Sequence, residues 1–231
     1  MSNSQQFKKN QRDIAHSIIK SALSTVPFAG GALSELFVSI FQPPIQKRQS
    51  KWIESITAQL LSLENRIDGF DLNSLADKPS FISVVMNATS IAIRNHQDEK
   101  LRVLSNAILN TALDYDLEDD VRQLFLAYID TLSPSHIRIL KFLHNPKEWG
   151  IEHKVDYPKI RMCGTAHMLL TAFPEFIGHD DLYTQYVNDL NTKGLIWTKG
   201  ENLQITLKRN QTLMSRTTEL GQQFLGFIEE P

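Results

Sequence analysis

Hydrophobic positions over the first 132 residues keep a helical rhythm. Ile14, Ala15, Ile18, Ile19, Ala22 and Leu23 recur at helical spacing opposite Arg12, Asp13, His16 and Lys20, which predicts an amphipathic helix. Pro27 ends it, because proline lacks an amide proton and disfavours a helical residue before it. Gly30-Gly31 allow a sharp turn, and "ALSELFVSIF" predicts a short helix that stops before Pro43-Pro44. A further helix starts near Pro44, with the stripe Ile45, Trp52, Ile53, Ile56, Leu60, Leu63 and Ile67, and closes at Gly69 and "DLNSLADKPS". Phe81, Val84, Val85, Ala88, Ala92, Leu101, Leu104, Ile108 and Ala112 keep one face and predict a single long helix. "DLEDD" then supplies carboxylates to open a helix carrying Val121, Leu124, Phe125, Tyr128 and Ile129. Short links between such helices predict a compact bundle over residues 1–132.

The pattern changes at Ser133-Pro134. Ser133 suits an N-cap and Pro134 a first helical position, opening "SHIRILKFLHN". "NPKEWGIEHKVDYP" reads as a loop, "TAHMLLTAF" and "DDLYTQYVNDLNTK" as helices around "PEFIGH". "GLIWTKGENLQITL" reads as two β-rich runs, "LIWT" and "LQITL", around the turn "KGEN". "TTELGQQFLGFI" reads as a last helix capped by Thr217 or Thr218, with Leu220, Phe224, Leu225 and Ile228 on its apolar side.

Three helices, a two-stranded wing and a closing helix resemble a winged helix-turn-helix domain, and "LNTKGLIW" and "TTELGQQFL" resemble two of its characteristic passages. The expected fold is mainly α: a helical bundle over 1–132, then a winged-helix domain over 133–231 with a small β-hairpin wing. The resemblance implies contact with DNA or protein through the third helix and the wing. Gln185, Asn188, Lys193, Lys199, Lys208, Arg209 and Arg216 would be its nucleic-acid contacts.

Charge weakens the nucleic-acid reading. Residues 1–53 carry seven basic and two acidic side chains, residues 54–132 six basic and thirteen acidic, and residues 133–231 eleven of each. Phosphate contact demands lysine and arginine, whereas the third helix presents Asp180, Asp181 and Asp189. Protein contact is therefore the leading expectation. A composition of 42% hydrophobic and 22% charged residues excludes a disordered tail or a polytopic membrane protein. A single cysteine excludes an internal disulfide framework and points to a reducing, cytoplasmic setting.

The basic opening third also holds the most apolar stretch. Residues 22–41 match a membrane span in length, but Pro27, Gly30-Gly31 and Glu35 interrupt them, which excludes a constitutive transmembrane helix. Two readings remain: a central helix buried all round, or a hairpin released onto an anionic membrane through Phe28, Leu33, Leu36, Phe37, Ile40 and Phe41.

Candidate chemistry is sparse. Cys163 and His167 are two ligands without the partners zinc needs. "GHDD", residues 178–181, contains a His-Asp pair that His153 and Asp189 could supplement, but Asp180 is explained by helix capping. His96 and Glu99 are half of a metal site lacking the other half, and "AGGALSEL" lacks the Lys-Ser/Thr ending of a phosphate loop. The reading is a non-enzymatic regulatory or interaction protein, bacterial in style, with no cofactor or metal and a protein partner. The alternatives are a membrane-perturbing effector and a DNA-binding regulator; nucleic acid, an anionic membrane and a second copy of the chain are the further partners considered.

Overall fold

The structure, a computed structural model, describes residues 43–157, 162–197, 206–208 and 213–231. The chain divides into two units, Met1–Ile53 and Glu54–Pro231, and nearly all described residues belong to the second. The helices expected before Pro43 lie outside the described residues. No helix among the described residues is long and apolar enough to cross a membrane.

Pro43 opens helix α1 (Pro43–Arg66), whose Ile56 and Leu63 are buried while Ile53 and Ile67 are not. A 3-10 turn, Leu72–Asp77, begins where the Asp71 carboxylate accepts the Asn73 amide at 2.9 Å. The single long helix expected over 81–112 is in fact two: α2 (Pro79–Arg94) and α3 (Asp98–Ala112). The break has a local cause. Asn95 is extended, its side-chain amide donates to the Ile91 carbonyl at 2.8 Å, and its backbone N–H closes on Ala92. Short polar side chains that compete for backbone groups end helices in this way. Asp98 and Glu99 then reopen the chain at a new N-terminus, where negative charge is favoured.

Helix α3 is buried on nearly every side from Val103 to Ala112 and packs on α2 and on the C-terminal helix α9 (Glu219–Ile228). Helix α4 (Asp119–Thr131) contributes Phe125, whose ring meets Phe224 at 5.2 Å and Phe227 at 5.7 Å. Asn87 donates to Gln123 at 2.6 Å, and Arg94 reaches Asp130 at 3.2 Å, so α2 and α4 are linked along their length.

The Leu132–Ser133 link, where the two-domain division was expected, joins α4 to α5 (Pro134–His144). Residues 146–152, read from sequence as loop, form helix α6 (Pro146–Glu152). Asn145 caps it by accepting the Glu148 amide at 3.2 Å, Pro146 occupies the first helical position, and burial of Trp149 rewards the turn. Tyr157 seals this corner: its hydroxyl donates to the Pro146 carbonyl at 2.8 Å, and burial pushes its pKa up to about 12.

Helices α7 (Thr165–Ala172) and α8 (Asp180–Thr192) occur where expected. The β-hairpin wing does not. Among the described residues the two runs do not pair with each other: β2 (Thr206–Lys208) lies antiparallel to β1 (Met162–Gly164), and Ile196 forms a bridge with Thr217. The first run is already engaged elsewhere, since the Trp197 amide donates to Arg216 and the Thr218 amide to Leu195. Mainly α holds as the fold class.

Gly221 fixes how α9 meets this bridge. A Cβ there would overlap the backbone carbonyl of Leu195, so the helix can approach only through a glycine. Gly221→Ala is expected to destabilise the protein by about 2–4 kcal/mol, the range of forced overpacking against rigid backbone. Gly69→Ala, where the added Cβ meets nothing, is expected to cost only about 1–2 kcal/mol, from its positive φ. Urea unfolding of the two variants side by side checks the contrast.

Candidate functional site

The corner at Asn145 produces a concavity on the described surface. Because α6 turns off the end of α5 within one residue, its outer face looks across at the first turn of α3 and the last turn of α9. Between these four helices lies a groove of about 890 Å³. All four belong to the unit Glu54–Pro231.

Each wall has an identifiable anchor. Trp149 is held by Phe142 at 6.4 Å and Phe173 at 5.2 Å, and His153 stacks on its indole at 3.8 Å and 11°. The His153 Nδ1–H donates to the Trp149 carbonyl at 3.0 Å, which fixes the imidazole over the indole. His144 binds the Thr217 hydroxyl at 2.9 Å and ties the end of α5 to the approach to α9. Helix α9 is secured by α3: the Asn106 amide donates to the Ile228 carbonyl at 2.9 Å, and that of Asn110 lies within 3.2 Å of the Gly226, Phe227 and Glu229 carbonyls. These are carbonyls the last turn of a helix leaves without partners of its own.

The groove is charged. Asp98 and Glu99 come from α3, Glu148 and Glu152 from α6, and Glu229 and Glu230 from the chain beyond α9. Three cations oppose these six carboxylates: Arg102, Arg138 and Lys141. Arg138 is already committed to Glu175 at 3.0 Å and lies 5.0 Å from the centre of the Phe173 ring. Among the described residues none of the six carboxylates lies within ion-pairing distance of a cation.

A second polar constellation sits at the α4–α5 link. His136 Nδ1 accepts the Ser133 backbone N–H at 3.0 Å and lies 2.8 Å from the Ser133 hydroxyl, while Nε2 faces Asp189 at 3.2 Å. The residue types are those of a nucleophilic triad, but the geometry is that of a helix cap. The backbone N–H already occupies the nitrogen that would have to take the serine proton. Tyr186 closes over the ring at 4.6 Å. Lys100, buried nearby, donates to the Asp130 carbonyl at 2.7 Å, and burial holds its pKa below the ordinary lysine range.

The residues singled out from sequence are scattered. Gln185 is exposed and donates to Asp189 at 2.8 Å, and Asn188 is exposed on the same helix. Lys193 lies over the Tyr128 ring at 4.9 Å. Arg216 is 6% exposed, with its guanidinium 5.9 Å from the Trp197 ring centre. Lys199, Arg209 and the side chain of Lys208 lie outside the described residues, as do Phe28, Leu33, Leu36, Phe37, Ile40 and Phe41. His167, His179 and Asp180 are exposed, His153 lines the groove, and Asp189 serves His136. Among the described residues no three His, Cys, Asp or Glu side chains converge as a metal site. The groove residues were missed because "NPKEW" was read as loop; its capping pattern, Asn-Pro-x-Glu before a tryptophan, was the available signal.

The model of a family described as abortive infection alpha matches residues 53–226. No curated protein and no solved structure matches the chain. The match corrects the resemblance drawn from sequence. It runs without interruption through both expected domains, and no winged-helix family matches the C-terminal part.

Burial lowers the His136 pKa, opposed by its bond to Asp189 and assisted by Lys193 and Lys100. The unfolded chain therefore takes this proton first as pH falls through 6.5, the ordinary histidine value. Stability is full above that pH and declines from there down to the lowered folded value. His136→Gln, which can keep the cap but cannot titrate, is expected to flatten this part of the curve. Denaturation midpoints measured at steps from pH 7.5 to 5 compare the two slopes.

Proposed function

Since the chain belongs to the abortive infection alpha family, we propose that it takes part in abortive infection, the response by which an infected bacterium stops phage multiplication. In this reading it acts by binding a protein partner rather than by catalysing a reaction. The observation that carries it is the extent of the match, from residue 53 to residue 226, which takes in the four helices around the groove apart from the final residues of α9. The character of the groove supports the binding part. Its walls present charges held apart on rigid helices, and the one serine–histidine–aspartate arrangement among the described residues is committed to capping α5. The alternative of direct DNA contact loses support from Arg216, which is buried, and from Gln185, which is taken by Asp189.

Expression of the chain in a phage-sensitive bacterial host, followed by challenge with a panel of unrelated phages, tests the reading. Plaque formation by at least one phage is expected to fall, together with survival of the infected cells at high multiplicity. Unchanged plaque counts across the panel, with folded protein present in the cells, would overturn it.

A further inference from the structure

We infer that the joint between α4 and α5 is a proton-operated latch. The neutral imidazole of His136 closes it by accepting the Ser133 backbone N–H, and protonation of that ring opens it while α8 stays attached to α5.

Geometry fixes which form of the ring is present. His136 Nδ1 lies 3.0 Å from the Ser133 backbone nitrogen, and a backbone N–H can only donate, so Nδ1 carries no proton. The proton of the neutral ring is therefore on Nε2, which donates to the Asp189 carboxylate at 3.2 Å. The Ser133 hydroxyl accepts the His136 backbone N–H in return, so the two residues bond reciprocally across the start of α5.

A second proton can enter the ring only at Nδ1. There it would face the Ser133 N–H across 3.0 Å, one donor against another. The Ser133 hydroxyl, 2.8 Å from Nδ1, can turn to accept the new N–H, but the backbone amide cannot turn. A donor left without its acceptor is costly, so the closed cap belongs to the neutral ring alone. On the opposite edge the same proton makes the bond to Asp189 charge-assisted and stronger. Tyr186, also on α8, packs edge-on against the ring at 4.6 Å and 64°. One proton thus loosens the link to α4 and tightens the hold of α8.

The surroundings set the direction. The charged groups acting on the ring are Asp189 and Lys193 of α8 and Lys100 of α3. Lys100 donates to the Asp130 carbonyl at 2.7 Å, just before the joint, and the Asp130 carboxylate is paired with Arg94 of α2 at 3.2 Å. Burial and the two lysines disfavour the charged ring, Asp189 favours it, and the balance holds the His136 pKa below the ordinary histidine value of 6.5. The latch is closed at neutral pH. As pH falls through 6.5 toward the lowered value, the open form takes the proton in preference, and the opening equilibrium rises by up to about tenfold per pH unit.

The test is amide hydrogen exchange of the full chain between pH 7.5 and 5, each rate divided by its intrinsic value. Protection at Ser133, His136 and Ile137 is expected to fall by about fivefold or more over this range. It is also expected to lie below that of Leu104 and Ile108, in the core of α3, and to change little with urea well short of unfolding, the mark of a local opening. In His136→Gln, whose side-chain oxygen can still accept the Ser133 N–H but takes up no proton, these three amides are expected to keep their protection throughout. Asp189→Asn removes the carboxylate that favours the charged ring and is expected to move the loss to lower pH. The nitrogen spectrum of isotope-labelled histidine at pH 7.5 is expected to show Nδ1 of His136 unprotonated. Protection at the joint that equals that of Leu104 and Ile108 at every pH, and falls with urea in step with theirs, overturns the proposal, because only whole-molecule unfolding would then be at work. So does an equal loss in His136→Gln, or a proton found on Nδ1 at pH 7.5. Should His136→Gln fail to fold, Asp189→Asn decides, and a loss of protection at unchanged pH in that variant overturns the proposal.

Discussion

Helix α3 is buried on almost every side although it carries Lys100, Ser105, Asn106, Asn110 and Thr111. Polar groups withdrawn from water must find partners inside, and much of the architecture follows from where these five find theirs. Ser105 donates to Gln59 of α1 at 2.8 Å, Lys100 to the end of α4, and the two asparagines to the end of α9. Thr111 turns back on its own helix at the Ala107 carbonyl. The central helix thus reaches three other helices through hydrogen bonds, while its apolar residues fill the space between them. Truncating one of these side chains would leave a carbonyl or a donor unmatched in the interior.

The same arrangement sets the groove. Its α3 wall comes from the exposed first turn of the buried helix, and its opposite wall stands where the asparagines hold it. Helix α6 completes the concavity because Asn145 and Pro146 stop α5 and restart the chain in a new direction. Trp149, packed against Phe142 and Phe173, anchors that helix, and His153 stacks on its indole. Charges placed this way need not collapse onto one another, and among the described residues none of the six lies within ion-pairing distance of a cation.

Much of the secondary structure was legible in the sequence. The apolar stripes of α1, α4, α5 and α9 gave those helices, and Thr218 is the cap of α9, accepting the Gly221 amide at 2.9 Å. What escaped reading has physical causes. The α2–α3 break lies in a polar interval where the apolar face resumes in nearly the same phase, so periodicity alone joined the two helices. The all-round burial of α3 was hidden by its own amides, which look solvent-facing until their partners, more than a hundred residues away, are known. Thr206 and Leu207, the end of the run "LQITL", were read correctly as extended but assigned the wrong neighbour, since a β-rich run does not name its partner strand. The groove was illegible for a related reason: its walls come from segments that only the tertiary fold assembles, and no local motif marks them.

One consequence concerns the order of events during synthesis. Asn106 and the Ile228 carbonyl it binds are 122 residues apart, so most of the unit leaves the ribosome before that bond can close. Contacts of long sequence separation carry the largest chain-closure cost and form late. A nascent chain therefore carries α3 with its amides still hydrated and its flank uncovered until α9 arrives. Arrival of that helix both seals the interior and raises the final wall of the groove. A chain that lacks α9 has neither the cover over the α3 amides nor that wall of the groove, so the interior and the concavity are completed by one and the same helix.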